Sequence, residues 1–272
     1  MKNNFIVAGI LLATLTTSTV AAQNKNSGEA KEKPTIEYST LPKVDLKDFK
    51  KNKKGEYVIF DGTSLNGWRG YNKSYVPNKW SIEDGALKFS KNPKADKPEG
   101  GDIIFTHDFK NFELSFKWKI SEAGNSGVFV LAKEVKGQPI YVSSPEYQIL
   151  DNVKHPDAKM GVNGNRMSAS LYDMIPATPQ NSKPAGEWNT SKIVVNGDKI
   201  THYQNDVKVV EYTVRTKDWT KLLQSSKFSE DKWPIAFELL NNVGGDTKSG
   251  VIGFQDHGDD VWFKDITVKV LK

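Results

Sequence analysis

Histidine and carboxylate side chains are the groups in this sequence that could move a proton. The sequence has four histidines, and two of them stand near acidic residues. His155 lies between Asp151 and Asp157, and His257 follows Asp256 at a point where the chain must turn. Because imidazole titrates near neutral pH, histidine is the natural base for moving a proton between carbon and oxygen. For His155 and His257, a catalytic role and a structural role are equally open.

The other two histidines occur in segments where packing explains them better. His107 stands at the predicted end of a strand, and His202 lies within the apolar–polar alternation of a predicted hairpin. A structural role is therefore favoured for both.

Glu146, Gln148 and Leu150 have the spacing of one face of a strand, and Asp151 follows them directly. On a strand, side chains two residues apart point to the same side, so Glu146 and Gln148 would lie next to each other. On spacing alone, an ordinary solvated strand face is favoured over acid–base chemistry.

Several common catalytic signatures are absent from the sequence. It has no HExxH motif, no GxSxG motif and no glycine-rich phosphate loop, so no nucleotide or organic cofactor is expected. It also has no cysteine, which excludes a disulfide framework, a thiolate metal site and a cysteine nucleophile.

Short alternating segments predict the strands that must position these side chains. Residues 112–120 alternate strictly between apolar and polar, which is the period of a half-buried strand. Asp84-Gly85 and Asn205-Asp206 are tight-turn sequences between apolar runs. Residues 216–225 carry a helical pattern. The sequence therefore predicts an all-β fold, a jelly-roll sandwich of two antiparallel sheets with one short helix.

The stretch 143–188 lacks this regular alternation and is rich in proline, asparagine and glycine. Loops of this length in a compact domain are usually functional or disordered. Apolar residues such as Ile149, Leu171 and Trp188 are anchors that disordered loops lack. We therefore expect an ordered loop that carries a site.

The N-terminal part of the chain divides into two segments before the domain. Residues 1–22 have a basic start, an apolar stretch and a small-residue end, which is typical of a cleavable signal peptide and predicts a periplasmic or secreted protein. Residues 23–55 form a charged tail or linker with few large apolar side chains. Residues 56–272 form the predicted domain. No apolar run is long enough to span a membrane, and no cysteine could carry a lipid.

Charge and aromatic content narrow the kind of ligand. The formal net charge of +5 comes mostly from the first 56 residues, so no basic face for nucleic acid is expected on the domain. Seven tryptophans and nine tyrosines on an exported β-sandwich favour contact with a small carbohydrate, although aromatic residues also fill cores.

Several segments of the sequence resemble, in the same order, the 3-keto-disaccharide hydrolase family, a former domain of unknown function whose members have been described as glycosyl hydrolases. The resemblance covers residues 56–272. It is carried by residues 60–68 (FDGTSLNGW), 124–129 (GNSGVF), 145–152 (PEYQILDN), 170–173 (SLYD), 183–189 (KPAGEWN) and 255–258 (QDHG). It implies a concanavalin A-like β-sandwich and cleavage of 3-keto-glycosides.

The chemistry that this resemblance implies starts with a ketone at C3, which acidifies the C2 proton. A base removes that proton, the enolate expels the C1 oxygen, and water can then add. The resemblance supports only the positions of these residues, and the chemistry assigns the roles: His257 or His155 as base, Tyr172 as hydrogen-bond donor and Glu146 as a catalytic or orienting group. A divalent cation held by Glu146, Asp151 and His257 could stabilise the enolate. The remaining substrate-binding residues it implies are Gln148, Asp151, Asn125, Glu187, Trp188 and Gln255.

Two alternatives remain open from the residues themselves. An ordinary glycoside hydrolase needs two carboxylates across the sugar, and Glu146 with Glu187 or Glu238 could supply them. A non-catalytic carbohydrate-binding module would need no acid or base. Val130-Leu131 stand where relatives often carry Tyr-His, so activity would be altered if that histidine acts in the relatives.

Overall fold

Two antiparallel β-sheets face each other and enclose the apolar core of the chain. The structure, a computed structural model, describes residues 35–272, so the predicted signal peptide and the first part of the charged tail lie outside the described residues. The strands are β1 (Tyr57–Phe60), β2 (Trp68–Gly70), β3 (Trp80–Glu83), β4 (Ala86–Phe89), β5 (Ile103–Phe109), β6 (Phe112–Ile120), β7 (Asn125–Ala132), β8 (Glu146–Leu150), β9 (Asn189–Asn196), β10 (Lys199–Gln204), β11 (Val207–Thr213), β12 (Gly250–Phe254) and β13 (Val261–Val270).

The strands form an eight-stranded and a five-stranded sheet within the described part of the chain. The larger sheet has the order β11-β10-β9-β6-β13-β4-β3, and β1 also pairs with β13. The smaller sheet has the order β2-β5-β12-β7-β8. Strands distant in sequence lie side by side in both sheets, as in a jelly roll, and the predicted sandwich is confirmed.

The local sequence explains these elements. Every second residue of β6 is buried, as the alternation predicts. The β3–β4 turn places Asp84 and Gly85 at φ 50° and 74°, and the β10–β11 turn places Asn205 and Asp206 at 48° and 65°. Two successive positive φ values are the geometry of the tight hairpin turn whose twist matches the strands. Both predicted hairpins are confirmed.

Aromatic rings fill the space between the sheets. Phe254 of the smaller sheet and Phe263 of the larger sheet have ring centres 4.2 Å apart, and Phe116 packs edge-on against Phe254 at 6.0 Å. These three rings are almost fully buried. The core therefore depends on the inward-facing residues of both sheets.

The prediction of a single helix is wrong. Helix α1 (Lys217–Gln224) lies where it was predicted, with Thr216 accepting a hydrogen bond from the Trp219 amide as its cap. A second helix, α2 (Pro234–Asn241), begins with proline in its first turn, where the missing amide proton is not needed. Three short 3₁₀ helices are Leu46–Asp48, Ile140–Val142 and Pro156–Lys159. In the structure Ala236, Leu239 and Leu240 are buried at helical spacing, but an apolar run this short cannot be told from a strand by its pattern alone.

The described part of the charged tail lies against the sandwich. The Phe49 ring meets Phe105 edge-on at 4.9 Å, and Leu46 is buried. The Val44 amide donates to the carbonyl of Thr106 at 2.9 Å. Residues 44–49 are thus fixed to the smaller sheet. In residues 35–272, no helix is long and apolar enough to cross a membrane.

Candidate active site

The floor of the candidate site is the outer face of the five-stranded sheet, opposite the core. In β8, Tyr147 and Ile149 point into the core, so Glu146 and Gln148 lie together on the outer face. Across the strand pair, Gly127 of β7 stands opposite Gln148. A Cβ atom at Gly127 would lie 2.5 Å from the Glu146 carboxylate. The absence of a side chain at Gly127 therefore makes room for that carboxylate.

A cavity of about 140 Å³ opens above this floor. Six separate parts of the chain contribute to it, and most of the groups are polar. The lining residues are Asn125, Tyr141, Glu146, Gln148, Tyr172, Lys227, Gln255 and His257. Because these residues lie far apart in sequence, the fold and not a local motif creates the cavity.

Glu146 is a buried acid. Burial raises its pKa to about 8, the nearby charge of Lys227 opposes this rise, and Asp102 and Asp157 add to it. Burial disfavours the charged form of a carboxyl group because the protein replaces its water shell. At neutral pH the Glu146 carboxyl group therefore holds a proton that it could donate.

Lys227 is a half-buried cation in the same cavity. Its Nζ lies 4.4 Å from the ring centre of Tyr172, 4.9 Å from that of Phe228 and 5.6 Å from that of Tyr141. Burial lowers its pKa, against the opposing effect of Glu146. Within residues 35–272 its ammonium group has no carboxylate oxygen within 4.0 Å. Aromatic faces thus hold this charge without neutralising it.

A hydrogen bond to an ion-paired aspartate holds Tyr172 in place. Its hydroxyl donates to Asp157 at 3.2 Å. Arg166 contacts Asp157 at 3.5 Å and donates from Nε to Asp173 at 2.7 Å. Burial, with the nearby charge of Asp157, raises the pKa of Tyr172. The phenol therefore keeps its proton at physiological pH and can donate it to one acceptor at a time.

The two candidate histidines lie close together at the mouth of the cavity. Their ring centres are 6.3 Å apart. His257 is exposed, lines the cavity and has Nε2 3.4 Å from the Asn125 side-chain nitrogen. His155 accepts the amide hydrogen of Asp157 on Nδ1 at 3.1 Å and is not among the cavity-lining residues. Of the two, His257 has the more direct access to a ligand.

Amide side chains complete the floor and offer unused hydrogen-bonding atoms. The side-chain oxygens of Asn125 and Gln255 are buried and have no hydrogen-bond partner among the residues that the structure describes. A buried acceptor without a partner is costly unless a ligand or water satisfies it. Sugar hydroxyl groups are donors that match these two oxygens.

Comparison with known proteins adds a family to this geometry. A family model described as the 3-keto-alpha-glucoside-1,2-lyase-like domain matches residues 55–269. The chain belongs to this family. A curated relative from Bacteroides thetaiotaomicron, named 3-keto-disaccharide hydrolase, is 52% identical over 285 residues, covering 98% of this chain and 96% of the relative. The resemblance found in the sequence is confirmed, and the chain is an enzyme of the glycoside hydrolase kind.

Two solved structures agree with this chain in fold. One from Parabacteroides distasonis, provisionally described as a glycosyl hydrolase, is 27% identical with a TM-score of 0.68 over 80% of this chain and 95% of that one. A second from the same organism, described in the same way, is 27% identical with a TM-score of 0.58 over 81% of this chain and all of that one.

Four of the predicted site residues do not line the cavity, namely His155, Asp151, Glu187 and Trp188. The Asp151 carboxylate accepts backbone amides of Ala123 at 2.8 Å and Val153 at 3.0 Å, so it holds the loop that follows β8. Glu187 is exposed in the segment before β9, and Trp188 packs on the outer face of the eight-stranded sheet. Both belong to the opposite side of the sandwich.

The predicted metal ligands do not form a shared cation site. Glu146 and His257 line the cavity, but both Asp151 carboxylate oxygens already accept backbone amides. Nowhere in residues 35–272 do three or more histidine, aspartate or glutamate side chains group in a way that could hold a metal ion. This set of three therefore does not fit a divalent cation, and no step of the reaction is assigned to one.

Val130 and Leu131 are both buried in the core and do not line the cavity. The cavity is therefore complete without a polar side chain at either position. Leu131 has φ 58° at an irregularity in the pairing of β7 with β12, so this part of the strand is bent away from regular geometry.

Sequence reasoning missed three residues of this face, namely Lys227, Tyr141 and Asp102. Lys227 follows α1 in a serine-rich segment with no pattern that distinguishes it from other lysines. Asp102 precedes β5 and accepts the Asp256 amide at 2.9 Å, and burial raises its pKa to about 7. The glycine pair before Asp102 was the available signal, because it allows close approach of the chain carrying His257.

Proposed function

We propose that this chain cleaves the glycosidic bond of 3-keto-glycosides by elimination followed by hydration, with net hydrolysis. The family and the name of the curated relative support this substrate class. The observation that carries the proposal is the meeting of a proton-holding carboxyl group, Glu146, and an unneutralised ammonium group, Lys227, in one small cavity.

Lys227 is the group that stabilises the negative charge on the substrate. Removing the C2 proton of a 3-keto sugar moves charge onto the C3 oxygen. A fixed cation beside that oxygen stabilises the enolate without needing to reorganise during the reaction. Tyr172 keeps its proton, and it becomes a second donor to the same oxygen when its hydroxyl turns from Asp157 to the substrate.

His257 and Glu146 move the protons. His257 takes the C2 proton, the electron pair forms the C1–C2 double bond as the C1–O bond breaks, and Glu146 gives its proton to the departing oxygen. The Glu146 carboxylate then takes a proton from water, whose oxygen adds to C1. His257 is exposed, so its ring proton exchanges with solvent before it returns a proton to C2, and both residues recover their starting forms. The amides of Gln148, Asn125 and Gln255 bind the hydroxyl groups of the ring.

An ordinary two-carboxylate hydrolase is a second candidate, favoured by one observation. Asp102 directly precedes β5 and Gly127 lies on β7, and these two strands flank β12, so the backbones of Asp102 and Gly127 are about 10 Å apart at two strand spacings. The Glu146 carboxylate lies over Gly127, and the charge of Asp102 acts on it, so these two residues are the candidate carboxyl pair for this reaction. Glu187 and Glu238, the partners predicted from sequence, do not line the cavity, and neither does Asp102.

The decisive experiment follows a 3-keto-glucoside by NMR in D2O with the chain lacking residues 1–22. We expect release of the aglycone together with deuterium at C2 of the sugar. The unoxidised glucoside, as the matched control, should remain unchanged. Cleavage of the unoxidised glucoside, or cleavage of the keto sugar without deuterium at C2, would overturn the proposed route. A parallel sample with EDTA reports separately on a divalent cation.

A further inference from the structure

A row of alternating lysine and tryptophan side chains crosses the outer face of the eight-stranded sheet. Lys88 on β4 faces Trp262 on β13, which faces Lys119 on β6, and Trp188 stands beside Lys119 just before β9. The lysine Nζ atoms lie over the rings. Lys88 and Lys119 are 4.9 Å and 4.3 Å from Trp262, and Lys119 and Lys264 are 5.3 Å and 4.1 Å from Trp188. We call these five residues the lysine–tryptophan row.

The row carries unneutralised positive charge at one end. Glu83 pairs with Lys88 at 2.9 Å and accepts the indole N–H of Trp262 at 3.0 Å, so that end is balanced. In the part of the chain that the structure describes, Lys119 and Lys264 have no carboxylate oxygen within 4.0 Å. Residues 57–272 contain nearly equal numbers of basic and acidic residues. The excess at this end of the row is therefore local and is not a result of overall basicity.

We propose that the lysine–tryptophan row binds an anionic polysaccharide, one that carries sulfate or uronate groups. The two ammonium groups supply charge complementary to those anions, and the parts of the half-buried indole rings that the lysines leave exposed supply apolar surface for sugar rings. The row crosses three strand spacings, about 14 Å, which suits an extended polymer better than a small ion. Cross-strand packing alone accounts for the lysine–indole contacts. It does not account for two neighbouring lysines left without a counter-charge.

The row and the catalytic cavity lie on opposite sides of the sandwich, because one is on the outer face of each sheet. Polymer bound to the row therefore leaves the cavity open. The row would keep the enzyme on an acidic glycan while the cavity acts on small sugars. This inference does not depend on the chemistry proposed for the cavity.

The test is electrophoresis of the chain lacking residues 1–22 in native gels that contain dextran sulfate or, as the neutral control, dextran. We expect dextran sulfate to retard the protein and dextran to leave it unaffected. The double variant Lys119→Gln/Lys264→Gln should bind dextran sulfate about tenfold more weakly, and added salt should weaken the binding of the unaltered chain. Trp188→Ala should weaken binding without changing the net charge.

The matched control is Lys53→Gln/Lys54→Gln, which removes two exposed lysines from the turn before β1. This control should bind dextran sulfate like the unaltered chain. The rate of cleavage of a small 3-keto-glucoside should be the same in the unaltered chain and in both double variants. Equal loss of binding in both double variants would overturn the proposal, because it would indicate a general charge effect. Tighter binding to phosphatidylglycerol vesicles than to dextran sulfate would overturn it in favour of a lipid surface.

Discussion

Replacing Glu146 by glutamine tests the central electrostatic feature of the cavity. Glutamine keeps the shape and polarity of a protonated glutamic acid, but it cannot ionise or deliver a proton. Burial raises the pKa of Glu146 from an ordinary 4.5 to about 8. The folded state therefore binds this proton more tightly than the unfolded state. The glutamine variant has no such proton, so its stability does not depend on this ionisation.

The expected stability difference follows from these two values. Below pH 4.5 both states of the unaltered chain keep the Glu146 proton, and Glu146→Gln should have little effect. Between pH 4.5 and pH 8 the unaltered chain loses stability relative to the variant by about 1.4 kcal/mol per pH unit, because its unfolded state ionises first. At pH 7 the variant should be more stable by up to about 3 kcal/mol.

The same substitution should lower the rate of aglycone release from a 3-keto-glucoside by about 100-fold or more, since the acid that protonates the leaving oxygen is gone. In the unaltered chain, activity should fall as the pH rises through about 8, where Glu146 loses its proton.

Urea unfolding of Glu146→Gln and of the unaltered chain, at half-unit steps from pH 4 to pH 9, gives the difference in the free energy of unfolding. Initial rates of aglycone release give the change in activity. The exposed residue Glu230 offers a control, because Glu230→Gln removes the same charge without burial. A stability difference that does not change with pH would refute the argument that Glu146 is protonated at pH 7. A stabilised variant with full activity would refute its role as an acid.

Three further substitutions test other parts of the structure. Lys227→Gln should lower kcat by about 100- to 1,000-fold through loss of the oxyanion cation, whereas Lys232→Gln should leave kcat unchanged; equal rates in both variants would contradict the role of Lys227. Burial lowers the pKa of His202 to about 4, so the unaltered chain should lose up to about 3 kcal/mol as the pH falls from 6.5 to 4, and unfolding of His202→Phe should show no such loss. Arg69 and Glu134 form a buried pair at 2.6 Å, so Arg69→Met alone should cost about 3–5 kcal/mol and Arg69→Met/Glu134→Leu should recover most of it. Equal thermal unfolding of the single and double variants would contradict that pairing.

Local sequence predicted the strands well because their causes are local. The alternation in β6 reflects one buried and one exposed face, and the turns at Asp84 and Asn205 need residues that tolerate positive φ. The position of Glu146 and Gln148 on one face follows from the same period of two. These predictions needed no knowledge of which strands pair.

The parts that could not be predicted depend on strand order. Trp188 and Glu146 belong to segments that both resemble the family, yet they lie on different sheets. Nothing in their spacing indicates on which sheet each would lie. Lys227 joins the cavity only because the chain after α1 passes over Tyr172, and a single lysine between serines has no pattern of its own. Asp151 is the opposite case. Its residue type and position suggested a role in the site, but its carboxylate accepts hydrogen bonds from backbone amides.

The charges in the cavity also favour one reaction over another. An ordinary glycosidase develops positive charge on the sugar ring in its transition state, and a buried ammonium group beside that ring would oppose it. Elimination from a 3-keto sugar develops negative charge on the C3 oxygen, which the same ammonium group stabilises. If a carboxylate neutralised Lys227 before the substrate arrived, most of this stabilisation would be lost. Among the carboxyl groups that act on Lys227, Glu146 has the largest effect, but it is protonated at neutral pH, so the lysine charge stays available to the substrate. The raised pKa of Glu146 and the unpaired Lys227 are therefore two parts of one arrangement that suits an enolate.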